Sequence, residues 1–321
     1  MKYGVFVCLF FFILILASCN NDDNGPAIES VPPRLLTEVA PENDEEIQEF
    51  LKTHFYNYEE FATPPVDFDF KIQIDTIAGD NADKKSLWED IEMKTINLSS
   101  SDLGLEDEEE NVEHKYYYLI ARSGESGNSP TIGDSTLLRY QGSLLDGTLF
   151  DENPSFTWQE LPFTIRGYAN GISNITSGTP EQIIQNEDGT INISDSGIGL
   201  IVIPSGLAYY NNTGPSGSIP QYAPLLFKIE VGLFVEDTDN DNDGIPTILE
   251  DVDGDGNFNN DNADSEAELA AGFFLPNFRD TDDDGDGTLT RDEIVIDDEG
   301  NVTFPDADND GTPDYLDPDT N

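Results

Sequence analysis

The stretch that decides the fold is Leu138-Arg-Tyr-Gln-Gly-Ser-Leu-Leu-Asp-Gly-Thr-Leu-Phe-Asp151. It reads as a strand, a turn at Asp146-Gly147, and a returning strand that opens on the aromatic-acidic pair Phe150-Asp151. Upstream, Lys115 to Arg122 is an apolar, tyrosine-rich strand that leads through Gly124, Gly127 and Pro130 to Gly133-Asp134. Downstream come three further blocks: Ile165-Arg166-Gly167-Tyr168 with Gly171-Ile172, Ile203-Pro204-Ser205 with Ala208-Tyr209, and Ile219-Pro220 with Leu225, Phe227 and Ile229.

In this order the blocks resemble the FKBP family of peptidyl-prolyl isomerases, over a domain spanning residues 115–236. The resemblance implies an α+β fold: an antiparallel sheet wrapped on a short helix. It also implies a pocket. Tyr140, Phe150 and Asp151 come from the first blocks, Ile165 and Tyr168 form its floor, and Tyr209, Ile219 and Phe227 close it, with Phe156 or Trp158 as a candidate further wall. Rotation about the bond before proline faces a barrier of about 18–20 kcal/mol, because resonance keeps the amide planar. An apolar, water-poor pocket disfavours that polar planar state relative to the twisted transition state, so neither nucleophile nor metal is required.

The sequence departs from the family pattern in three places. Tyr168 stands where the family usually has tryptophan. Residues 179–196 are extra and read as an elongated hairpin or loop beside the sheet. Tyr210-Asn211-Asn212-Thr213 replaces the glycine that commonly follows the Ala-Tyr pair.

Before the domain, residues 41–114 read as an extension. Asn43 and Glu46 make a capping-box-like start, after which Ile47, Phe50, Leu51, His54, Phe55 and Tyr58 recur at helical spacing. His54 falls on the apolar face and reads as a packed core residue. Val66, Phe68, Phe70, Ile72 and Ile74 then alternate with polar residues, which predicts a strand with one wet face. The pattern leaves open whether this extension pairs chains or buttresses the main domain.

After Glu236 the composition changes: residues 237–321 hold 28 carboxylates against Arg279 and Arg291. Such a segment cannot fold on apolar burial alone. Its acids recur at every second position before a glycine, in Asp239, Asp241, Asp243 with Gly244; Asp251, Asp253, Asp255 with Gly256; Asp282, Asp284, Asp286 with Gly287; and Asp306, Asp308, Asp310 with Gly311. Alternating carboxylates converge on one hard cation when glycine permits the turn, the next residue offers a carbonyl, and an acid at loop position twelve closes the shell. Glu250, Glu293 and Asp317 occupy that closing position, Thr288 follows the third glycine, and Asn262 makes the second loop the weakest. The tail is similar to thrombospondin type 3 and EF-hand-like repeats, which implies structural calcium; magnesium suits the loops less, because it keeps its water shell while they can supply six or more oxygens, and catalysis is expected to need no cofactor.

At the other end, Lys2 precedes an apolar run from Val5 to Leu16 that stops at Ala17-Ser18-Cys19. This reads as a signal peptide over residues 1–18, too short to span a bilayer. It resembles the bacterial lipobox, which implies lipidation of Cys19 and a tether over residues 19–40. Asn20-Asn-Asp-Asp23 is similar to export signals of surface lipoproteins of the Bacteroidota. The expected location is therefore the bacterial cell envelope, at the outer membrane, facing periplasm or surface. With only Cys8 and Cys19, the processed chain folds without an internal disulfide.

The formal net charge of -52 excludes nucleic acid as a partner and leaves the acyl anchor as the means of membrane contact. Acyl-transfer, redox and phosphoryl-transfer chemistry lack their motifs. Two functions remain: an isomerase acting on proline-containing segments of exported proteins, and a non-catalytic binding module that grips such segments and uses calcium for partner contact.

Overall fold

A computed structural model of the chain describes residues 32–215 and 217–320, so the leader, Cys19 and the first part of the tether lie outside the described residues. Residues Arg34–Asn321 form one compact unit. In chain order, α1 (Leu36–Thr53) leads into β1 (His54–Tyr56), α2 (Tyr58–Ala62), β2 (Ile74–Thr76), β3 (Glu92–Leu98) and β4 (Val112–Arg122). Next come β5 (Ser135–Leu144), β6 (Leu149–Glu160), α3 (Arg166–Ile172), β7 (Ile183–Gln185), β8 (Ile191–Ile193), β9 (Gly197–Ile203) and β10 (Leu225–Val235). The tail adds α4 (Ser265–Ala271), α5 (Thr290–Glu293), β11 (Val295–Ile296) and β12 (Val302–Thr303).

The fold is α+β and FKBP-like. Six strands pair in the order β3-β4-β9-β10-β5-β6, every neighbour antiparallel. All of β9 is buried, because the sheet is covered on both faces. Side chains alternate across a strand. Ile201 and Ile203 accordingly join Tyr116, Tyr118, Phe227 and Ile229 against α3, while Ile198, Leu200 and Val202 join Tyr117, Leu119 and Leu226 against Ile47, Phe50 and Leu51 of α1. Two glycines let α3 approach so closely. A Cβ on Gly171 would lie 2.4 Å from Ile201 Cγ2, and one on Gly167 would lie 2.9 Å from Ile203 Cγ2.

The extension differs from its sequence reading in two ways. Helix α1 begins at Leu36, seven residues before Asn43, and carries Pro41 inside it. Asn43 is a buried tertiary tie: its Nδ2 donates to the Tyr222 carbonyl at 3.0 Å, and its Oδ1 accepts from Ser205 N at 2.8 Å and Ser205 Oγ at 2.7 Å. The strand expected from Val66 to Asp75 shrinks to Ile74–Thr76. Asp67 and Phe70 have φ of 65° and 54°, which breaks the pleat. Phe61, Phe68 and Phe70 cluster instead, with Phe61–Phe68 centroids 5.2 Å and Phe68–Phe70 centroids 4.9 Å apart. His54 ends α1 and stacks on Phe50 at 4.2 Å.

The extra residues 179–196 do form a hairpin, β7 with β8, and its Ile193 packs against Leu137 and Phe156. Among the described residues no helix is long and apolar enough to cross a membrane.

Candidate functional site

Seven of the eight pocket residues named from the sequence lie in one apolar cluster on the α3 side of the sheet: Tyr168, Ile219 and Phe227 buried, Tyr140, Phe150, Ile165 and Tyr209 half-buried. Asp151, the eighth, is exposed at the rim. Strand pairing explains the meeting, since Gly142 on β5 faces Asp151 on β6 and Phe227 on β10. The rings interlock edge to face, with Tyr140–Tyr168 centroids 5.8 Å, Phe150–Phe227 5.6 Å and Tyr168–Phe227 5.0 Å apart. Such geometry sets the positive edge of one ring against the negative face of the next.

Two polar contacts orient the site. The Tyr140 hydroxyl donates to Asp151 Oδ2 at 2.6 Å, and the Tyr168 hydroxyl donates to Gln159 Oε1 at 3.0 Å. Burial and then the bond to Asp151 push the Tyr140 phenol up from its ordinary range, and burial and then the Asp151 charge push Tyr209 up. Both hydroxyls therefore remain protonated donors at neutral pH. Phe156 and Trp158 are not walls of this site. Phe156 packs behind the sheet with Leu137 and Ile193, and Trp158 is 53% exposed. Gln159 was not legible beforehand, because nothing local marks which polar residue of β6 meets the buried phenol.

Gly142 is also part of the site: a Cβ there would lie 2.7 Å from Phe150 Cζ and 3.0 Å from Phe227 Cε1. Overpacking of this kind costs about 1–3 kcal/mol. Gly142→Ala is expected to lose about that much stability in chemical denaturation, and an unchanged midpoint would show that the rings yield freely.

The acidic tail gathers a second set of carboxylates. In the first, second and fourth loops the glycine N–H donates to the leading aspartate: Gly244 to Asp239 at 3.0 Å, Gly256 to Asp251 at 3.0 Å, and Gly311 to Asp306 at 3.1 Å. Gly244, Gly256, Gly287 and Gly311 all have positive φ, from 79° to 107°, a region that disfavours side chains. Asp239, Asp241 and Asp243 converge, as do Asp251, Asp253 and Asp255, and Asp282, Asp284 and Asp286. Thr288 N donates to Asp286 Oδ1 at 2.6 Å. Asp308 and Asp310 are exposed, while Asp317 accepts from Asp319 N at 3.1 Å and Thr320 Oγ1 at 3.0 Å.

Tertiary packing adds acids that loop spacing does not mark. Asp283 joins Asp243 and Glu250 in a fully buried trio. Asp261, beside Asn262, supplies a carboxylate whose neighbours include Asp253 and Asp251, so the second loop is not short of an acid. Both oxygens of Glu250 and Asp283, and Oδ2 of Asp241, Asp243, Asp261 and Asp284, are buried with no hydrogen-bond partner. Burial and facing carboxylates push Glu250 up to about 11 and Asp283 to about 9. Buried orphan carboxylates at this density are costly without a compensating charge, and an all-oxygen donor set fits a hard divalent cation.

The tail is fastened to the main domain. Arg166, the first residue of α3, lies 3.6 Å from both Asp102 and Asp255, and its Nη2 donates to the Asp255 carbonyl. The Phe278 ring packs at a tilt against Phe163, with centroids 5.3 Å apart, and against Phe258, with centroids 5.7 Å apart.

Residues 127–232 match the family model of the FKBP-type peptidyl-prolyl cis-trans isomerases, which places an FKBP-type domain in this stretch. FK506-binding protein 3 of Dictyostelium discoideum is 37% identical over 106 residues, which cover 33% of this chain and 47% of that protein. The match thus spans about half the length of that curated relative. Among solved structures, a peptidyl-prolyl cis-trans isomerase of Pseudomonas syringae pv. tomato is 25% identical with a TM-score of 0.29, covering 37% of this chain and 74% of that one. FkpA of Escherichia coli is 21% identical with a TM-score of 0.33, covering 62% of each chain.

Proposed function

We propose, from the FKBP-type domain at residues 127–232, that this protein is a peptidyl-prolyl cis-trans isomerase acting on proline-containing segments of exported proteins. The carrying observation is the interlocked floor of Tyr168 and Phe227 beneath a rim where Tyr140 is bonded to Asp151. A proline ring seated on that floor leaves water, and the preceding carbonyl finds hydroxyl donors. Tyr209 is half-buried against the same cluster, and its hydroxyl is the group we assign to that carbonyl. Loss of amide resonance then becomes cheaper in the apolar site than in water.

The rest of the reading concerns placement. Lipidation at Cys19 would hold the domain at the bacterial cell envelope, at the outer membrane, and the leader ending in Ala17-Ser18-Cys19 supports this. Calcium in the tail would act structurally, and the orphaned buried carboxylates support that assignment. Isomerisation of a short proline peptide by the purified protein tests the function. Turnover is expected, with Tyr209→Phe lowering kcat/KM by about tenfold, the worth of one hydrogen bond made in the transition state. A folded, calcium-replete sample with no turnover would overturn the enzyme reading in favour of a proline-binding module.

A further inference from the structure

Outside the four loops, helix α4 brings a different set of acids together. Asp264, Glu268 and Asp280 each present a carboxylate oxygen within 4.8 Å of the others. Asp264 and Glu268 lie outside every loop, whereas Asp280, beyond the turn at Asn277–Arg279, continues the alternation of Asp282 and Asp284 before Gly285, and Asp282 also faces the cluster. Glu268 is 2% exposed. Its Oε2 is fixed by Leu275 N at 2.6 Å and Asn262 Nδ2 at 2.8 Å, whereas Oε1 is buried with no partner.

Asp264 behaves in the same way. It occupies the N-cap of α4 yet makes no side-chain cap bond, although an aspartate there ordinarily satisfies a helix N–H and contributes about 1 kcal/mol. Its Oδ1 is buried without a partner, and a Cβ on Gly285 would lie 2.4 Å from its Oδ2. Asp280 Oδ1 accepts from Asp282 N at 3.1 Å. Among the described residues none of the three carboxylates is in an ion pair, and Arg279 next door lies over Phe163 instead, 5.5 Å from the ring centroid.

We propose that Asp264, Glu268 and Asp280 bind a further hard divalent cation, calcium by the donor chemistry, at a site where tertiary packing adds two acids of α4 to one aspartate of the alternating run. Three oxygens from three carboxylates leave room for carbonyls and water in the six- to eight-fold shell that calcium takes. The site has a structural consequence, because it spans the turn that carries Phe278, whose ring sits beside Phe163 of the main domain. An ion there clamps that turn and so fastens the tail to the FKBP-type domain.

The test counts ions. Native mass spectrometry of the calcium-loaded protein is expected to show one fewer calcium in Glu268→Gln than in the parent. Glutamine keeps the shape and can still accept from Leu275 N and Asn262. Glu266→Gln, an exposed change on the same helix, is expected to keep the full number. A Glu268→Gln sample that has lost every ion has lost its fold, and Asp264→Asn then decides: one ion fewer supports the site, and an unchanged number overturns it. An unchanged number in folded Glu268→Gln overturns this site alone, whereas a parent that binds no calcium overturns it together with the loop sites.

Discussion

Chelation of divalent cations at pH 7.5 is expected to strip amide protection from residues 239–320 while the strands around β9 stay protected. The tail has little else to hold it, since its buried apolar side chains are Ile245, Phe258, Phe278, Ile294 and Tyr315. Against them stand buried carboxylates whose folded-state pKa values are raised, by burial first and by facing acids second, to about 6 for Asp243, about 9 for Asp283 and about 11 for Glu250. A carboxyl with a raised folded pKa binds more protons folded than unfolded. Its contribution is therefore fully present below the ordinary carboxylate range near 4 and is lost as pH rises through the folded value. Without cations, tail stability should fall between pH 5 and pH 8, by on the order of several kcal/mol, because each tenfold rise in a group's proton affinity on folding corresponds to about 1.4 kcal/mol.

Calcium is expected to reverse the slope, because protons would then compete with the ion for the same oxygens. Hydrogen exchange at pH 5.5 and 7.5, with calcium and with chelator, reads both slopes. Equal protection of the tail in all four samples would show that its fold does not depend on a cation.

The second large effect concerns the rim of the aromatic site. Asp151→Ala is expected to lower kcat/KM for a proline peptide by about 10- to 100-fold, with the fold intact because Asp151 is exposed. A hydrogen bond to a charged group contributes about 1.5–3 kcal/mol, and each 1.36 kcal/mol is a factor of ten in rate. Removing the acceptor 2.6 Å from the Tyr140 hydroxyl frees that phenol to turn away from the rim. Asp151→Asn, which keeps an acceptor but no charge, should fall between parent and alanine. Full turnover by the alanine variant would sink the role assigned to the Tyr140–Asp151 pair.

The contrast between these two sites shows where sequence reading reaches its limit. The strands and turn around Asp146-Gly147 were legible because hydrophobic alternation and turn chemistry act over a few residues. The converging aspartates were legible for the same reason, since a two-residue period before a glycine is itself the geometry that gathers them. The alternation at residues 66–74 was misleading: rings at Phe61, Phe68 and Phe70 gain more by clustering than by joining a strand. Asn43 misled in the same direction, because a residue suited to capping was used as a buried tie to Ser205.

By itself the amino-acid sequence marked the single strands, the turn at Asp146-Gly147 and the repeated acidic loops, features whose cause lies within a short run of chain, while the antiparallel FKBP-like sheet followed from the resemblance of the ordered blocks to that family. Only the tertiary structure decided that α1 covers the second face of the sheet, that Gln159 meets Tyr168, that Asp283 enters the trio of Asp243 and Glu250, and that Asp264, Glu268 and Asp280 converge. These contacts join residues whose separation along the chain carries no period, so packing of distant segments, rather than local backbone geometry, selects them.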